Sequence, residues 1–243
     1  MIRRPAHDPS TGPVARQRLI YGRRAGHRLR PGLARLLEEE LPGIRVELRE
    51  HDRIATEALF GGPRPLWLEI GFGAGEHLAA LAERHPEVGF IGCEPFQTGV
   101  AKLLARRERA GLENLRIVVD DARLLLDALP DQALERIYVL FPDPWPKTRH
   151  HKRRIVNPAT ARAFVRLLRP GGEVRLATDD MGYVRAMLEA MLRPKELEWT
   201  AGRAADWRER PADEPMTRYE AKALAAGRRC CYLRFRRRWP ESP

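Results

Sequence analysis

The segment Phe141-Pro142-Asp143-Pro144-Trp145-Pro146-Lys147 has the residue types of a reaction site. Prolines on both sides of Asp143 restrict its backbone and keep it out of any helix that follows. A rigidly held carboxylate can stabilise developing positive charge or accept hydrogen bonds from a substrate. We therefore predict that Asp143 is a catalytic residue. Trp145 is a candidate for packing either on a base or on an apolar wall.

The same segment ends one of several strand-like stretches that alternate with helix-like stretches. The alternation predicts an α/β protein with a mostly parallel sheet and helices on both faces. We expect strands over 66–70, 88–93, 116–119, 136–141 and 173–177, with final strands over 197–200 and 230–236. We expect helices over 31–41, 76–84, 97–110, 122–129, 158–168 and 183–192. Pro42-Gly43 is expected to end the first helix, and Pro170-Gly171-Gly172 the fifth.

Acidic residues follow these strands at corresponding places. Besides Asp143, they are Glu69, Glu94, Asp121 and Asp179. The carboxyl ends of parallel strands share one edge of the sheet, which is where ligands of such sheets bind. One acid at a strand end has little meaning alone, but five in corresponding positions predict a common site.

A glycine loop, Gly71-Phe72-Gly73-Ala74-Gly75, follows the first expected strand. Such a loop fits either a dinucleotide, through its pyrophosphate, or S-adenosylmethionine. Glu69 would repel a pyrophosphate, whereas S-adenosylmethionine has no phosphate and carries a sulfonium and an ammonium group. Glu94 can accept hydrogen bonds from ribose hydroxyls in either case, and Asp121 could accept from an adenine amino group. We therefore predict S-adenosylmethionine rather than NAD.

Positive charge is concentrated in three short segments. Residues 1–35, 147–154 and 228–238 have net charges of +8, +5 and +6, whereas the whole chain has a net charge of +11, so the remainder is acidic. Segregated positive charge predicts a surface that binds a polyanion such as RNA. His150 and His151 are adjacent and point in different directions, with no acid or cysteine close by, so no metal site is expected.

The remaining composition points to an ordinary cytoplasmic domain. The three cysteines show neither a disulfide framework nor a metal-binding spacing. No apolar stretch reaches the roughly 18 residues of a membrane span, and the N-terminus has no apolar signal region. We predict a basic, mobile arm over residues 1–30 and a single domain over residues 31–243.

Four of these segments carry a resemblance to a known family. Residues 68–75, 141–154, 177–179 and 217–220 resemble the bacterial tRNA (guanine-N7-)-methyltransferases, a similarity that extends over residues 20–236. It implies a Rossmann-like class I methyltransferase fold. It also implies methyl transfer from S-adenosylmethionine to N7 of a guanine in the tRNA variable loop, at position 46, by a cytoplasmic enzyme without a metal.

The resemblance also implies roles for individual residues. Together with the glycine loop, it assigns the cofactor to Glu69, Gly71, Gly73, Glu94, Asp121 and Asp143. Substrate contacts are expected from Lys147, Asp179, Thr217, Arg218, Tyr219 and Glu220. RNA interaction is expected from Arg149, His150, His151, Lys152, Arg153 and Arg154. The expected partner is tRNA, with no membrane and no obligatory protein partner, and the chain is expected to be a monomer or a homodimer.

Three other functions remain open at this point. The chain could methylate another RNA position or a protein, which only the methylated product distinguishes. It could be an NAD-dependent oxidoreductase, which Glu69 and the glycine spacing disfavour. It could be a non-catalytic RNA-binding module, against which the full set of acids at the strand ends argues.

Overall fold

A seven-stranded sheet forms the centre of the molecule in the computed structural model, which describes residues 29–48 and 53–240. The strands are β1 (Leu66–Ile70), β2 (Gly89–Cys93), β3 (Leu115–Val118), β4 (Leu134–Leu140), β5 (Leu168–Thr178), β6 (Leu197–Trp199) and β7 (Cys231–Arg237). Their order in the sheet is β3-β2-β1-β4-β5-β7-β6. The first five are parallel, and β7 is antiparallel to both β5 and β6. The expected mostly parallel sheet is confirmed.

Nine helices lie within the described ranges. They are α1 (Pro31–Glu39), α2 (Leu41–Ile44), α3 (Glu76–Arg84), α4 (Gln97–Ala110), α5 (Ala122–Ala128), α6 (Pro158–Leu167), α7 (Met181–Met191), α8 (Ala205–Arg208) and α9 (Arg218–Ala225). Two 3-10 turns cover Thr56–Leu59 and Thr148–Arg153. None of these helices combines the length and apolar character needed to cross a membrane.

The core explains why the central strands have their sequences. All five residues of β1 are buried, because helices cover both faces of the sheet. Leu66, Leu68 and Ile70 join one apolar cluster with side chains of α5, α6 and α7, whereas Trp67 joins a second cluster with α1, α3 and α4. The predicted arrangement of helices on both faces is therefore confirmed, and the packing holds the ends of the strands in fixed positions.

Several predicted boundaries were wrong. Pro42-Gly43 was expected to end the first helix, but Pro42 lies in the first turn of α2, where its missing N–H costs nothing. Strand β5 begins at Leu168, before the expected loop at Pro170-Gly171-Gly172, because a shift in its register with β4 accommodates that loop within the strand. Two helices, the short α8 and α9, were not predicted from the sequence.

The predicted N-terminal arm lies almost entirely outside the described residues, which begin at residue 29. The division into an arm and a single domain therefore stays a prediction.

Candidate active site

Two clefts lie at the carboxyl edge of β1, β2 and β4. The first cleft, of about 310 Å³, is lined by Glu94, Asp121, Asp143 and Trp145 among others. The second cleft, of about 480 Å³, is lined by residues that include Glu69, Gly73, Thr217, Arg218 and Tyr219. Both clefts are lined by Gly71 and Phe141, so the glycine loop and the end of β4 are common walls.

The glycine loop presents open backbone to these clefts. Gly71 and Gly73 have φ values of 74° and 56°, and a β-carbon at either position would have no neighbour within 4 Å. Their N–H groups are already bonded, however, because Gly71 donates to the Cys93 carbonyl and Gly73 to the Glu94 carboxylate, each at 2.8 Å. The Gly75 N–H likewise donates to Phe72. A pyrophosphate needs such donors, so the loop fits a nucleoside cofactor without phosphate better than NAD.

Glu94 follows β2, and its carboxylate accepts hydrogen bonds from the backbone of two loops. Its carboxylate accepts from Gly73 N at 2.8 Å and from Phe96 N at 3.0 Å. Burial raises the pKa of Glu94, and the negative charges of Asp143 and Glu69 add to this rise. Each oxygen has a second lone pair, so the carboxylate can still accept hydrogen bonds from a diol in the first cleft.

Asp121 is placed at the wall of the first cleft as the N-cap of α5. Its carboxylate accepts from the Arg123 backbone N–H at 2.9 Å and from the Arg123 guanidinium at 3.1 Å. The residue is 5% exposed. A contact with an adenine amino group stays a prediction, because the structure shows only that this acid is near the cleft and fixed in place.

The segment from Phe141 to Lys147, here called the proline loop, has an unusual backbone. Phe141 and Trp145 have φ values of 49° and 44°, in the left-handed region that aromatic residues rarely occupy. The Phe141 N–H donates to the Ala177 carbonyl at 2.7 Å, which ties the loop to β5. Such strain persists only where surrounding contacts impose it, and it is concentrated at functional sites. Asp143, the predicted catalytic residue, is exposed in the middle of this loop.

Arg154 is one of the contacts that hold the proline loop. Its Nε donates to the Pro144 carbonyl at 2.8 Å, and its guanidinium lies 4.7 Å from the centre of the Tyr183 ring. Only 6% of the residue is exposed. This placement differs from the predicted RNA contact, because a buried guanidinium cannot reach a phosphate at the surface.

The rest of the basic run forms a 3-10 turn, Thr148–Arg153, here called the basic turn. Lys147, Arg149 and Lys152 are exposed, and no carboxylate in the described ranges lies within ion-pair distance of them. Arg153 lies 4.7 Å from the centre of the Trp145 ring, and the His150 ring stands edge-on to it at 5.8 Å. Lys147, Arg149 and Lys152 therefore present positive charge, unpaired by any carboxylate in the described ranges, directly beside the proline loop.

The basic segment at 228–238 differs from the basic turn. Arg228, Arg234, Arg236 and Arg238 form ion pairs with Asp179, Asp213, Glu173 and Glu198, respectively. Arg237 donates to the Leu168 carbonyl. Most of the positive charge of this segment is therefore paired with nearby acids, and its part in a polyanion-binding surface stays a prediction.

The Thr217–Glu220 element starts α9 at the rim of the second cleft. The Thr217 hydroxyl accepts from Glu220 N at 3.0 Å and the Glu220 carboxylate accepts from Thr217 N, which makes a capping box. Glu220 is 2% exposed and also accepts from the Tyr232 hydroxyl at 2.6 Å. Glu220 therefore holds the element in place, whereas Arg218 and Tyr219 are exposed at the cleft.

Tyr219 and Asp179 are brought together from distant parts of the chain. The Tyr219 ring, 43% exposed, lies 5.2 Å from the Phe141 ring. Arg228 pairs with Asp179 at 2.6 Å and lies 5.6 Å from the centre of the Tyr219 ring. These contacts form an aromatic and charged wall beside the proline loop.

Comparison with known proteins decides the family. The model of the family described as "Putative methyltransferase" matches residues 63–233. The chain is 53% identical to the tRNA (guanine-N(7)-)-methyltransferase of Rhodospirillum rubrum, over 90% of this chain and 88% of that protein. It is 44% identical to the protein of the same name from Paracoccus denitrificans, over 93% and 97%. The chain belongs to the tRNA (guanine-N7-)-methyltransferase family. The predicted family and enzyme class are confirmed.

Solved methyltransferases share the fold. The 16S rRNA methyltransferase KamB superposes with a TM-score of 0.53 at 14% identity, over 79% of this chain and 97% of that chain. The 16S rRNA (adenine(1408)-N(1))-methyltransferase of Catenulisporales acidiphilia gives a TM-score of 0.50 at 13% identity, over 81% and 96%. At these identities the likeness concerns the fold alone, and it confirms the predicted Rossmann-like class I methyltransferase fold.

One buried side chain that lines the second cleft was missed from the sequence. His77, in the first turn of α3, is 2% exposed and lies between two carboxylates. Its Nδ1 is 2.8 Å from Glu69 and its Nε2 is 2.7 Å from Glu214. In the sequence, His77 is recognisable only as a histidine on a helix that starts at the glycine loop. Nothing near it indicates its contact with Glu214, which lies 137 residues away.

Proposed function

We propose that this member of the tRNA (guanine-N7-)-methyltransferase family methylates N7 of a guanine in the tRNA variable loop, at position 46. One observation carries the proposal: the proline loop joins the first cleft to the basic turn. Asp143 lines that cleft together with Glu94, and Lys147 opens the basic turn four residues later. A base bound beside Asp143 would therefore have its phosphates near uncompensated positive charge.

The cofactor assigned to the clefts is S-adenosylmethionine, which supplies a methyl group on a sulfonium when bound. The residues proposed to hold it are Glu69, Gly71, Gly73, Glu94, Asp121 and Asp143. The open glycine backbone and the Glu94 carboxylate fit a nucleoside that lacks phosphate. Acidic side chains at the strand ends suit the positive charges of this cofactor.

The chemistry of N7 limits what the protein must supply. N7 of guanine has a lone pair and no proton, so its methylation needs no general base. The base becomes cationic as the new bond forms, and a nearby carboxylate stabilises that charge. Asp143 is the exposed acid on the strained loop, so we assign this catalytic role to it.

Base recognition is assigned to the wall around Tyr219. Its exposed ring can stack on a base from a loop of RNA, as single-stranded recognition requires. Asp179 or Asp143 would accept hydrogen bonds from guanine N1–H and N2–H, which adenine lacks. Asp179 is paired with Arg228, so its contact with a base would require exchange of that ion pair.

The basic turn is proposed to bind the tRNA backbone. Its residues are exposed or half-buried. The proposed phosphate contacts are Arg149, His150, His151, Lys152 and Arg153 of the turn, together with Lys147 at the end of the proline loop. Arg154 and Glu220 are assigned to holding the proline loop and α9 instead of contacting RNA. We propose a cytoplasmic enzyme that acts on tRNA as a monomer or homodimer, without an obligatory protein partner.

Mapping the methylated base tests this function. Unmodified tRNA is incubated with the protein and labelled S-adenosylmethionine, followed by borohydride and aniline, which cleave RNA at N7-methylguanosine. We expect one cleavage, in the variable loop at position 46. A control tRNA with adenine at that position should neither incorporate label nor be cleaved. Label without cleavage would instead indicate methylation of another RNA position.

A further inference from the structure

His77 is placed to join two parts of the site that are far apart in the sequence. Both ring nitrogens lie within hydrogen-bond distance of a carboxylate, Glu69 on one side and Glu214 on the other. A neutral imidazole has one donor, so two ionised carboxylates can both accept hydrogen bonds from the ring only if it carries two protons. The ring is therefore a buried cation between two anions.

The surroundings of His77 support this charge state. Burial alone would lower the pKa of His77, but the charge of Glu69 and the hydrogen bond to Glu214 raise it to about 9. From β4, the Tyr138 ring packs edge-on at 4.9 Å. From β5, Arg175 contacts the other oxygen of Glu214, so that this carboxylate is held between two cations. Asp213 and Glu173 also pair with Arg175.

Each carboxylate belongs to a different part of the site. Glu69 lies at the end of β1, and its second oxygen has no bonding partner in the part of the chain that the structure describes. Glu214 lies three residues before Thr217, in the segment that leads into α9. Because Arg175 also bonds Asp213 at 2.8 Å, this segment is anchored to the sheet through an alternating chain of charges.

We propose that His77 is a positioning residue that orients Glu69 toward the cofactor and, through Glu214, holds the segment carrying Thr217 and Tyr219 against the second cleft. This inference rests on the proposed function, which assigns Glu69 to the cofactor and Tyr219 to the RNA base. Loss of the imidazolium leaves the Glu69 and Glu214 carboxylates on either side of the vacated ring position with no cation between them, which would displace both parts together.

The experiment compares H77Q, E214Q and the double variant with the wild-type protein. Equilibrium dialysis with labelled S-adenosylmethionine measures cofactor affinity without RNA, and initial rates give KM for tRNA and kcat. H77Q should weaken cofactor binding about tenfold, the loss expected for one charge-assisted hydrogen bond. It should also raise KM for tRNA several-fold. In the double variant, removal of one of the two facing charges should restore part of the cofactor affinity that H77Q loses.

H85Q is the matched control, because His85 follows the same helix and its side chain is 38% exposed beside Glu87. It should leave both affinities unchanged. If H77Q proves unfolded, E214Q tests the same connection, and it should raise KM for tRNA more than it weakens cofactor binding.

Two results would overturn the positioning role. One is a folded H77Q protein whose cofactor affinity and KM for tRNA are both within twofold of the wild-type values. If H77Q is unfolded, the equivalent result is an E214Q protein with an unchanged KM for tRNA. The other is a double variant whose loss in cofactor affinity is the product of the two single losses. Failure of the proposed function is a separate observation: the wild-type protein would bind cofactor, respond to H77Q and yet give no aniline cleavage.

Discussion

Asp143 is the side chain on which the proposed chemistry depends most. It is exposed, it lines the first cleft, and the loop around it has two aromatic residues in left-handed conformations. Left-handed aromatic residues raise the free energy of the loop, and such strain is found mainly at functional sites. The loop therefore fixes where the Asp143 carboxylate lies. This constrained backbone distinguishes Asp143 from exposed acids on helix surfaces.

Replacement of Asp143 by Asn tests the electrostatic role. The amide keeps the size of the side chain but removes the charge that would stabilise the methylated base, so kcat should fall by about 100- to 1000-fold. Melting temperature should be unchanged. Single-turnover methylation with labelled cofactor measures the rate, and D127N, on the exposed side of α5, is the control. A near-normal rate for D143N would remove this residue from the chemistry.

Two substitutions of Tyr219 distinguish stacking by its ring from hydrogen bonding by its hydroxyl. Replacement by Ala removes the exposed ring beside Phe141 and should raise KM for tRNA about tenfold, since stacking on a base contributes about 1–3 kcal/mol. Replacement by Phe keeps the ring and should leave KM nearly unchanged. Steady-state rates at varied tRNA concentration distinguish the two variants. Equal losses in both would show that the hydroxyl, not the ring, is the contact.

At the scale of elements, two arginine-rich segments of similar composition have different electrostatic surroundings. Arg149 and Lys152 of the basic turn are exposed and pair with no carboxylate in the described ranges, whereas Arg234 and Arg236 of β7 and the adjacent Arg238 pair with acids on neighbouring elements. Net charge alone cannot separate these cases. The position of acids around each segment decides whether its charge is available to a polyanion.

The salt dependence of tRNA binding tests this distinction. Replacement of Arg149 and Lys152 by Gln should weaken binding and lower the slope of log K against log salt by between about 1 and 2, because two phosphate contacts are lost. Replacement of the paired Arg236 and Arg238 by Gln should leave the slope unchanged. Filter binding over a range of salt concentrations measures both. An identical slope for all three proteins would show that the basic turn does not bind phosphate.

Arg154 should behave as part of the loop and not as part of the RNA surface. Its replacement by Met removes the hydrogen bond to Pro144 and should destabilise the protein by about 1.5–3 kcal/mol, the range for a hydrogen bond from a charged group. Methylation should fall because Asp143 is no longer held, while the salt slope of tRNA binding stays as in the wild type. Urea unfolding and filter binding measure these effects. A reduced salt slope would restore Arg154 to the RNA surface.

At the scale of the whole molecule, the chain of charges through His77 links stability to pH. The pKa of His77 is raised to about 9 from a value of 6.5, so the protonated ring stabilises the folded state. That contribution is complete below pH 6.5 and is lost as pH rises through about 9. The wild-type free energy of unfolding should therefore fall by about 1.4 kcal/mol per pH unit more steeply than that of H77Q within this window. Urea unfolding between pH 6 and 9.5 measures the difference, and parallel curves for the two proteins would contradict it.

Much of the fold followed from local patterns in the sequence. The bounds of β1, α3 and α4 agree with their predicted ranges residue by residue, because glycines and apolar periodicity mark them locally. α9 could also have been predicted, since Thr217 and Glu220 have the spacing of a capping box. The long β5 could not, because its first residues are strand only through pairing with β4.

The acids at the strand ends, the glycine loop and the basic run could be placed from the sequence because each depends on neighbours a few residues away. The placement of Arg154 beneath the proline loop, the neutralisation of the 228–238 arginines and the pairing of His77 with Glu69 and Glu214 could not. Burial and ion pairing depend on which segments pack together in space, and Glu214 is 137 residues from the histidine that holds it. The carboxylate and the cation are each visible in the sequence, but their distance of 2.7 Å exists only in the folded chain.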